Sequence, residues 1–172
     1  MIVLVLGGAG SGKSRAAERL AASLPPPLTY VATWTRRPGT APDPDMEARV
    51  AAHRARRPPS WRSLEAGEDL AGAFEGVTGT VLIDALGTWV AGHDGRAPDV
   101  DGLCRALRSR SGDTVVVSDE VGLGVHPSTP VGRRYRDVLG AVNQTVAEVA
   151  DQAWLVVAGR VVSLARPPWA DR

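Results

Sequence analysis

The 172-residue chain has the length of one domain and can bury a full core without disulfide staples. Hydrophobic residues make up 44% of it and the formal net charge is +1, which excludes a disordered chain and any bulk attraction to nucleic acid or membranes. Its apolar runs fall short of the ~18 residues of a membrane span. Residues 2–6 are too short and lack the basic leader expected of a signal peptide. The single cysteine, Cys104, forms no intrachain disulfide and points to the reducing cytoplasm.

In chain order, residues 2–6 read as a short buried strand, and residues 14–24 as a helix stopped by Pro25, Pro26 and Pro27. Residues 28–32 form a second strand, and residues 33–44, rich in Pro, Gly and Thr, a loop. Asp45 is expected to cap a helix running to about Arg57, with Pro58 and Pro59 as its stop. Residues 61–64 read as a short strand, 69–74 as helical, 80–84 as a clear strand, 100–110 as a helix and 114–118 as a β-branched strand. Residues 133–150 form a long amphipathic helix, and residues 154–158 and 161–164 close the chain as two strands around a Gly159-Arg160 turn. Segments 36–44 and 92–98 are expected to be the mobile ones. This alternation predicts one α/β domain over residues 1–172: a mostly parallel sheet, helices on both faces, and an antiparallel hairpin at one edge.

The junction of the first strand and first helix carries Gly7, Gly8, Ala9, Gly10, Ser11, Gly12, Lys13 and Ser14, which match G-x-x-x-x-G-K-[ST] at every fixed position. Glycines permit the φ > 0 turns that aim backbone N–H groups at phosphate oxygens, and the helix adds its positive end. Lys13 is expected to reach the β- and γ-phosphates and Ser14 to ligate Mg²⁺. Of the 20 Lys+Arg residues, Lys13 is the one lysine. It stands where a compact ammonium is needed and a planar guanidinium would not serve. A metal-binding carboxylate is expected at the end of a neighbouring strand; Asp84 and the Asp119/Glu120 pair both qualify. Asp119 to Gly122 also reads D-x-x-G, but the chain has no N-K-x-D guanine-reading motif.

The second informative stretch is the helix at residues 45–57. Met46, Val50 and His53 fall at i, i+4 and i+7 on one face, with Arg49 and Arg56 close to it. A neutral imidazole can attack phosphorus, and neighbouring arginines would favour the neutral ring and bind the phosphates. Spacing alone equally fits a surface helix with a solvated basic end. Nucleic-acid binding by Arg54, Ala55, Arg56 and Arg57 lacks an aromatic platform. His93, in a Gly/Asp loop, is expected to be solvated, and His126 to have no role in the chemistry.

With these segments in hand, the sequence resembles the bifunctional adenosylcobinamide kinase/adenosylcobinamide-phosphate guanylyltransferase family. The resemblance runs in order from the phosphate loop through Tyr30-Val31-Ala32-Thr33, Met46-Glu47-Ala48-Arg49 leading to His53, Arg57-Pro58, Trp61, Glu65 and Asp84. It continues through Glu120-Val121-Gly122-Leu123-Gly124 and Arg136-Asp137 to Asn143-Gln144. It implies a RecA-like P-loop fold, a homotrimer, and two reactions at one nucleotide site. The hydroxyl arm of adenosylcobinamide takes the γ-phosphate of ATP or GTP. A histidine then attacks the α-phosphate of GTP, and its GMP passes to the cobinamide phosphate, giving adenosyl-GDP-cobinamide. The resemblance puts the guanylylated histidine at His53. It puts nucleotide contacts at the loop residues, at Ala32, Thr33 and Trp34, at Arg54, Ala55, Arg56 and Arg57, and at Glu65 and Asp84.

The sequence departs from the family pattern at Trp34, Asp119 and His126, and none of these positions falls within the loop motif or at His53. Ser14 and Asp84 are the expected Mg²⁺ ligands, with Glu120 a further candidate. Two other readings stand beside this one: a P-loop small-molecule kinase without nucleotidyl transfer, and a regulatory GTP-binding switch.

Overall fold

The computed structural model describes residues 1–34, 41, 43–166 and 168. Most of segment 36–44, expected to be mobile, lies outside the described residues, as does the side chain of Arg49. Strands β1 (Ile2–Gly7), β2 (Leu28–Ala32), β3 (Arg62–Glu65), β4 (Thr80–Asp84), β5 (Thr114–Asp119) and β6 (Gln152–Val157) run parallel. Strand β7 (Arg160–Leu164) returns antiparallel along β6. Among the described residues they form one seven-stranded sheet in the order β3-β2-β4-β5-β1-β6-β7. Helices α1 (Lys13–Ala22), α2 (Pro44–Arg56), α3 (Leu70–Ala73), α4 (Leu86–Gly92), α5 (Val100–Ser109) and α6 (Pro130–Val149) complete the chain.

The unbroken apolar run of β1 follows from burial on both faces. Ile2, Leu4 and Leu6 point into a core shared with α3 to α6, through Leu70, Trp89, Leu103 and Leu139. Val3 and Val5 point the other way, against Ala17 and Ala21 of α1. Successive side chains of a strand face opposite sides, so one strand feeds two cores. This puts β1 in the interior and the phosphate loop at the carboxyl edge of the sheet, between neighbours β5 and β6.

Three local expectations are corrected. Asp43, not Asp45, caps α2: its Oδ1 accepts from Met46 N at 3.0 Å. Both aspartates suit a cap, but Pro44 is pre-organised for the first helical position, and that fixes the cap one residue before it. The closing hairpin turns at Ala158-Gly159, with φ of 50° and 74°, and Arg160 already pairs with Val157. A two-residue turn matching strand twist needs both central φ values positive, which moves it one residue earlier.

The third correction is His93, which is buried rather than solvated. It follows α4, a helix that sequence patterning does not reveal. Its Nδ1–H donates to the Trp89 carbonyl at 2.8 Å, and its ring meets Trp89 edge-on at 5.4 Å. The 92–98 segment is tied down in part by Arg96 N donating to His93 O at 2.9 Å.

Candidate active site

The phosphate loop takes its shape from its glycines. Gly10 and Gly12 have φ of 69° and 92°, where a side chain would be strained. At Gly7 space decides instead: a Cβ there would stand 2.5 Å from Ser11 Oγ and 2.9 Å from Val156 O. Ser11 N donates to Gly8 O, and Gly159 N, in the β6–β7 turn, donates to Ser11 O at 2.8 Å. Helix α1 starts with Gly12 at its cap position and no capping side chain. Its positive end therefore stays directed at the space above the loop, the arrangement that binds phosphate elsewhere.

Lys13 Nζ lies 2.6 Å from Asp119 Oδ1 and donates to Gly8 O at 3.3 Å. Asp119 ends β5 in register with Gly7, which is why it meets the lysine. Ser14 Oγ donates to Asp84 Oδ1 at 3.3 Å. Asp84 ends β4, one strand beyond β5, and its Oδ2 accepts from Tyr30 OH at 2.8 Å and lies 3.1 Å from His53 Nδ1.

Burial pushes the Asp84 pKa upward. The hydrogen bond from His53, that from Tyr30, the charge of His53 and the bond from Ser14 outweigh it, and hold the carboxyl below its usual range. Tyr30 moves the other way: burial first, then the Asp84 charge, keep its phenol protonated as a donor. Asp84 is ionised, so its bond to His53 requires Nδ1–H. In the neutral ring, Nε2 then carries the free lone pair. Ser14 and Asp84 offer one hydroxyl and one carboxylate at one spot, a donor set that suits a hard divalent cation taking its remaining ligands from phosphate and water. Among the described residues no cluster of three or more His, Cys, Asp and Glu could hold a metal.

Helix α2 sets His53 over this edge, with Met46, Val50 and His53 half-buried along one face. The arginines around it have other partners. Arg54 pairs with Glu65 at 3.2 Å and Arg56 with Glu18 at 3.1 Å. Arg57 lays its guanidinium 3.3 Å above the Tyr30 ring and donates to Ser63 Oγ, while its Nε is buried without a partner among the described residues. A cavity of ≈ 310 Å³ opens beside His53's partner Asp84. Ala32, Trp34, Arg54, Arg57, Glu65 and Asp84 line it, together with Val50, Ser63 and Leu64.

Other predicted residues lie elsewhere. Thr33 turns inward, its Oγ1 accepting from Ala85 N at 2.9 Å and lying 2.5 Å from Thr88 Oγ1. Ala55 is exposed, and neither it nor Arg56 lines the cavity. Glu120 joins the loop through its backbone N–H, which donates to Gly7 O at 3.1 Å, but its Oε1 accepts from Gly122 N at 2.6 Å. That carboxylate is spent on its own turn, with no contact to Ser14 or Asp84. Sequence reasoning did not assign Tyr30 a role; it is the middle residue of β2, and the pairing of β2 with β4 is what brings its hydroxyl to Asp84. Nor did it foresee that Asp119 pairs with Lys13; strand register was the missing information.

A profile of the cobinamide kinase / cobinamide phosphate guanyltransferase family matches residues 3–164. The chain belongs to that family. It is 39% identical over 174 residues to the bifunctional adenosylcobalamin biosynthesis protein CobP of Pseudomonas aeruginosa, covering 96% of this chain and 98% of that one. Its identity with the bifunctional adenosylcobalamin biosynthesis protein CobU of Salmonella typhimurium is 36% over 181 residues, covering 92% and 97%. The protein of the same name from Escherichia coli is 34% identical, with 92% and 97% covered. Among solved structures, an ATPase from the type III secretion system of pathogenic bacteria superposes with a TM-score of 0.56 at 11% identity, over 94% of this chain and 56% of that one. At that identity the likeness speaks for the P-loop ATPase fold alone. The chain is thus a bifunctional cobinamide kinase and guanylyltransferase, and neither alternative reading finds support in these matches.

Proposed function

We propose that both reactions of the family run at the one phosphate loop, with His53 as the guanylyl acceptor. The observation that carries this reading is the Asp84 carboxylate, which is hydrogen-bonded to Ser14 of the loop on one oxygen and to His53 on the other.

In the kinase step, the hydroxyl oxygen of adenosylcobinamide attacks the γ-phosphorus of ATP or GTP. The bond to the β,γ-bridging oxygen breaks, the nucleoside diphosphate leaves and the hydroxyl proton is released. Lys13 and the loop N–H groups stabilise the charge moving onto the bridging oxygen, with no nucleophile from the protein. Ser14 and Asp84 would hold Mg²⁺, which neutralises phosphate charge when bound.

In the transfer, His53 Nε2 attacks the α-phosphorus of GTP and pyrophosphate leaves. Asp84 fixes the ring and its tautomer through Nδ1–H, as a carboxylate orients a catalytic histidine elsewhere. A phosphate oxygen of the phosphorylated acceptor then attacks the guanylyl phosphorus, and the P–N bond breaks as the leaving nitrogen takes a proton. The cavity beside Asp84, with Arg54 and Arg57 in its wall, suits the nucleotide.

Incubation with GTP labelled at the α-phosphate is the test. Acid-labile, base-stable label on the protein is the expected result; its absence, with γ-phosphate transfer to adenosylcobinamide intact, would leave a kinase alone. A homotrimer in the cytoplasm completes the proposal. The family resemblance supports the first part, and the single unpaired Cys104 the second. Light scattering giving a monomer mass with full activity contradicts the trimer. No helix among the described residues is long and apolar enough to cross a membrane.

A further inference from the structure

The largest cavity described, ≈ 850 Å³, lies between α4 and the first turns of α6, helices that cover the sheet face opposite α1. Two other cavities, of ≈ 460 and ≈ 430 Å³, share Gly76, Val77 and Thr78 just before β4, at the amino ends of the strands and away from the chemistry. The α4–α6 cavity has apolar walls from Val90, Ala91, Val131 and Val138, with Tyr135, Arg134, Thr129, Asp94 and Arg96 among its polar groups. That is the make-up of a small-molecule site.

Tyr135 connects this cavity to the loop. A Cβ on Gly87 would stand 2.2 Å from Asp119 Oδ2 and 2.8 Å from Tyr135 OH, so both side chains converge on the first turn of α4. The other Asp119 oxygen is the one 2.6 Å from Lys13 Nζ. A molecule seated against Tyr135 is therefore separated from the phosphate-binding lysine by a single carboxylate. The β5–α6 loop, which leads from Asp119 to this cavity, carries Leu123 and Val125 exposed, and Val131 at the rim is 79% exposed. Such apolar groups beside a polar site mark a surface awaiting an apolar-faced ligand.

We infer that the α4–α6 cavity receives the corrinoid acceptor, seating the hydroxyl-bearing arm and the ring edge that carries it with the arm directed past Tyr135 toward Lys13. The inference rests on the bifunctional reading above. It divides the site into a nucleotide side at the ends of β2 and β4 and an acceptor side at α4–α6, with the Lys13–Asp119 pair where the two meet.

Ala91 and Val131 are exposed, so a larger side chain at either fills the cavity without entering the core. Ala91→Trp and Val131→Trp should each raise the KM for adenosylcobinamide about tenfold or more, with the KM for nucleotide within about twofold. Equilibrium binding of cobinamide alone to the full-length chain should weaken in parallel. Acceptor KM and cobinamide binding at unaltered values in both variants would overturn the inference. So would a change of oligomer mass by light scattering without a change in acceptor KM, which would make this face a contact between copies. α-Phosphate labelling of the unaltered chain is read separately. If it fails, the guanylyltransferase reading fails, while cobinamide binding and its loss in the two variants still decide the cavity.

Discussion

His53 Nδ1 stands 3.1 Å from Asp84 Oδ2, joining the end of helix α2 to the end of strand β4. The same carboxylate takes the Ser14 hydroxyl on its other oxygen. The residue expected to carry GMP and the residue expected to hold the metal therefore share one buried acid. On the proposed reading, the two chemistries have a common centre in place of two separate sites.

Lys13→Ala should lower both activities together. On the proposed reading a single ammonium serves the phosphates in each reaction, and loss of such a transition-state contact costs on the order of 10²-fold or more. Kinase and self-guanylylation rates measured on the same preparation check this. Near-normal guanylylation in the variant would show that the second reaction does not use this loop.

Leu4→Ala should destabilise the fold by about 2–5 kcal/mol, because Leu4 is fully buried in an interior strand and leaves a cavity under α4 to α6. Urea unfolding measures it. Val125→Ala, at a side chain 94% exposed, should change stability by less than about 0.5 kcal/mol in the same assay.

The ionisation of Tyr135 gives a pH prediction. Burial, and then the Asp119 charge, push its phenol up to about 12. A raised pKa in the fold means stability that is fully present below the unfolded value of about 10, and lost as pH rises through the folded value. Phenolate absorbance should be nearly absent at pH 10 in the folded protein and strong in urea at the same pH. Asp119→Asn should move the wave down only partway, since burial is the larger cause. A wave at the ordinary tyrosine position in the unaltered protein would contradict the packing of Tyr135.

Much of this was readable in the sequence. Strands 28–32 and 80–84 have the bounds expected of them, because Leu-Thr-Tyr-Val-Ala and Thr-Val-Leu-Ile-Asp are apolar runs closed by turn residues. The phosphate loop was legible because its backbone needs glycine at fixed places. Helix α4 was not: Leu-Gly-Thr-Trp-Val-Ala-Gly carries two glycines and has no side-chain cap, and it is held by burying Leu86, Trp89 and Val90 on the sheet. Tertiary packing overrides weak propensity there. His93 was misread for the same reason, since its partner Trp89 belongs to that helix. Within the site, Asp84 and His53 were visible as residue types at strand and helix ends, but Arg57 stacked on Tyr30 and Lys13 paired with Asp119 depend on strand order. No local pattern encodes that.

The most direct test of the central claim is α-phosphate labelling of His53→Ala. Attack on the α-phosphorus needs a nucleophile from the protein, whereas γ-phosphate transfer to a hydroxyl does not. His53→Ala should lose the label and the formation of adenosyl-GDP-cobinamide, and keep phosphorylation of adenosylcobinamide within about tenfold, since only half-buried packing is lost. His93→Ala and His126→Ala should still be labelled. Label remaining on His53→Ala, or lost from His126→Ala alone, would contradict the assignment of His53 as the guanylyl acceptor.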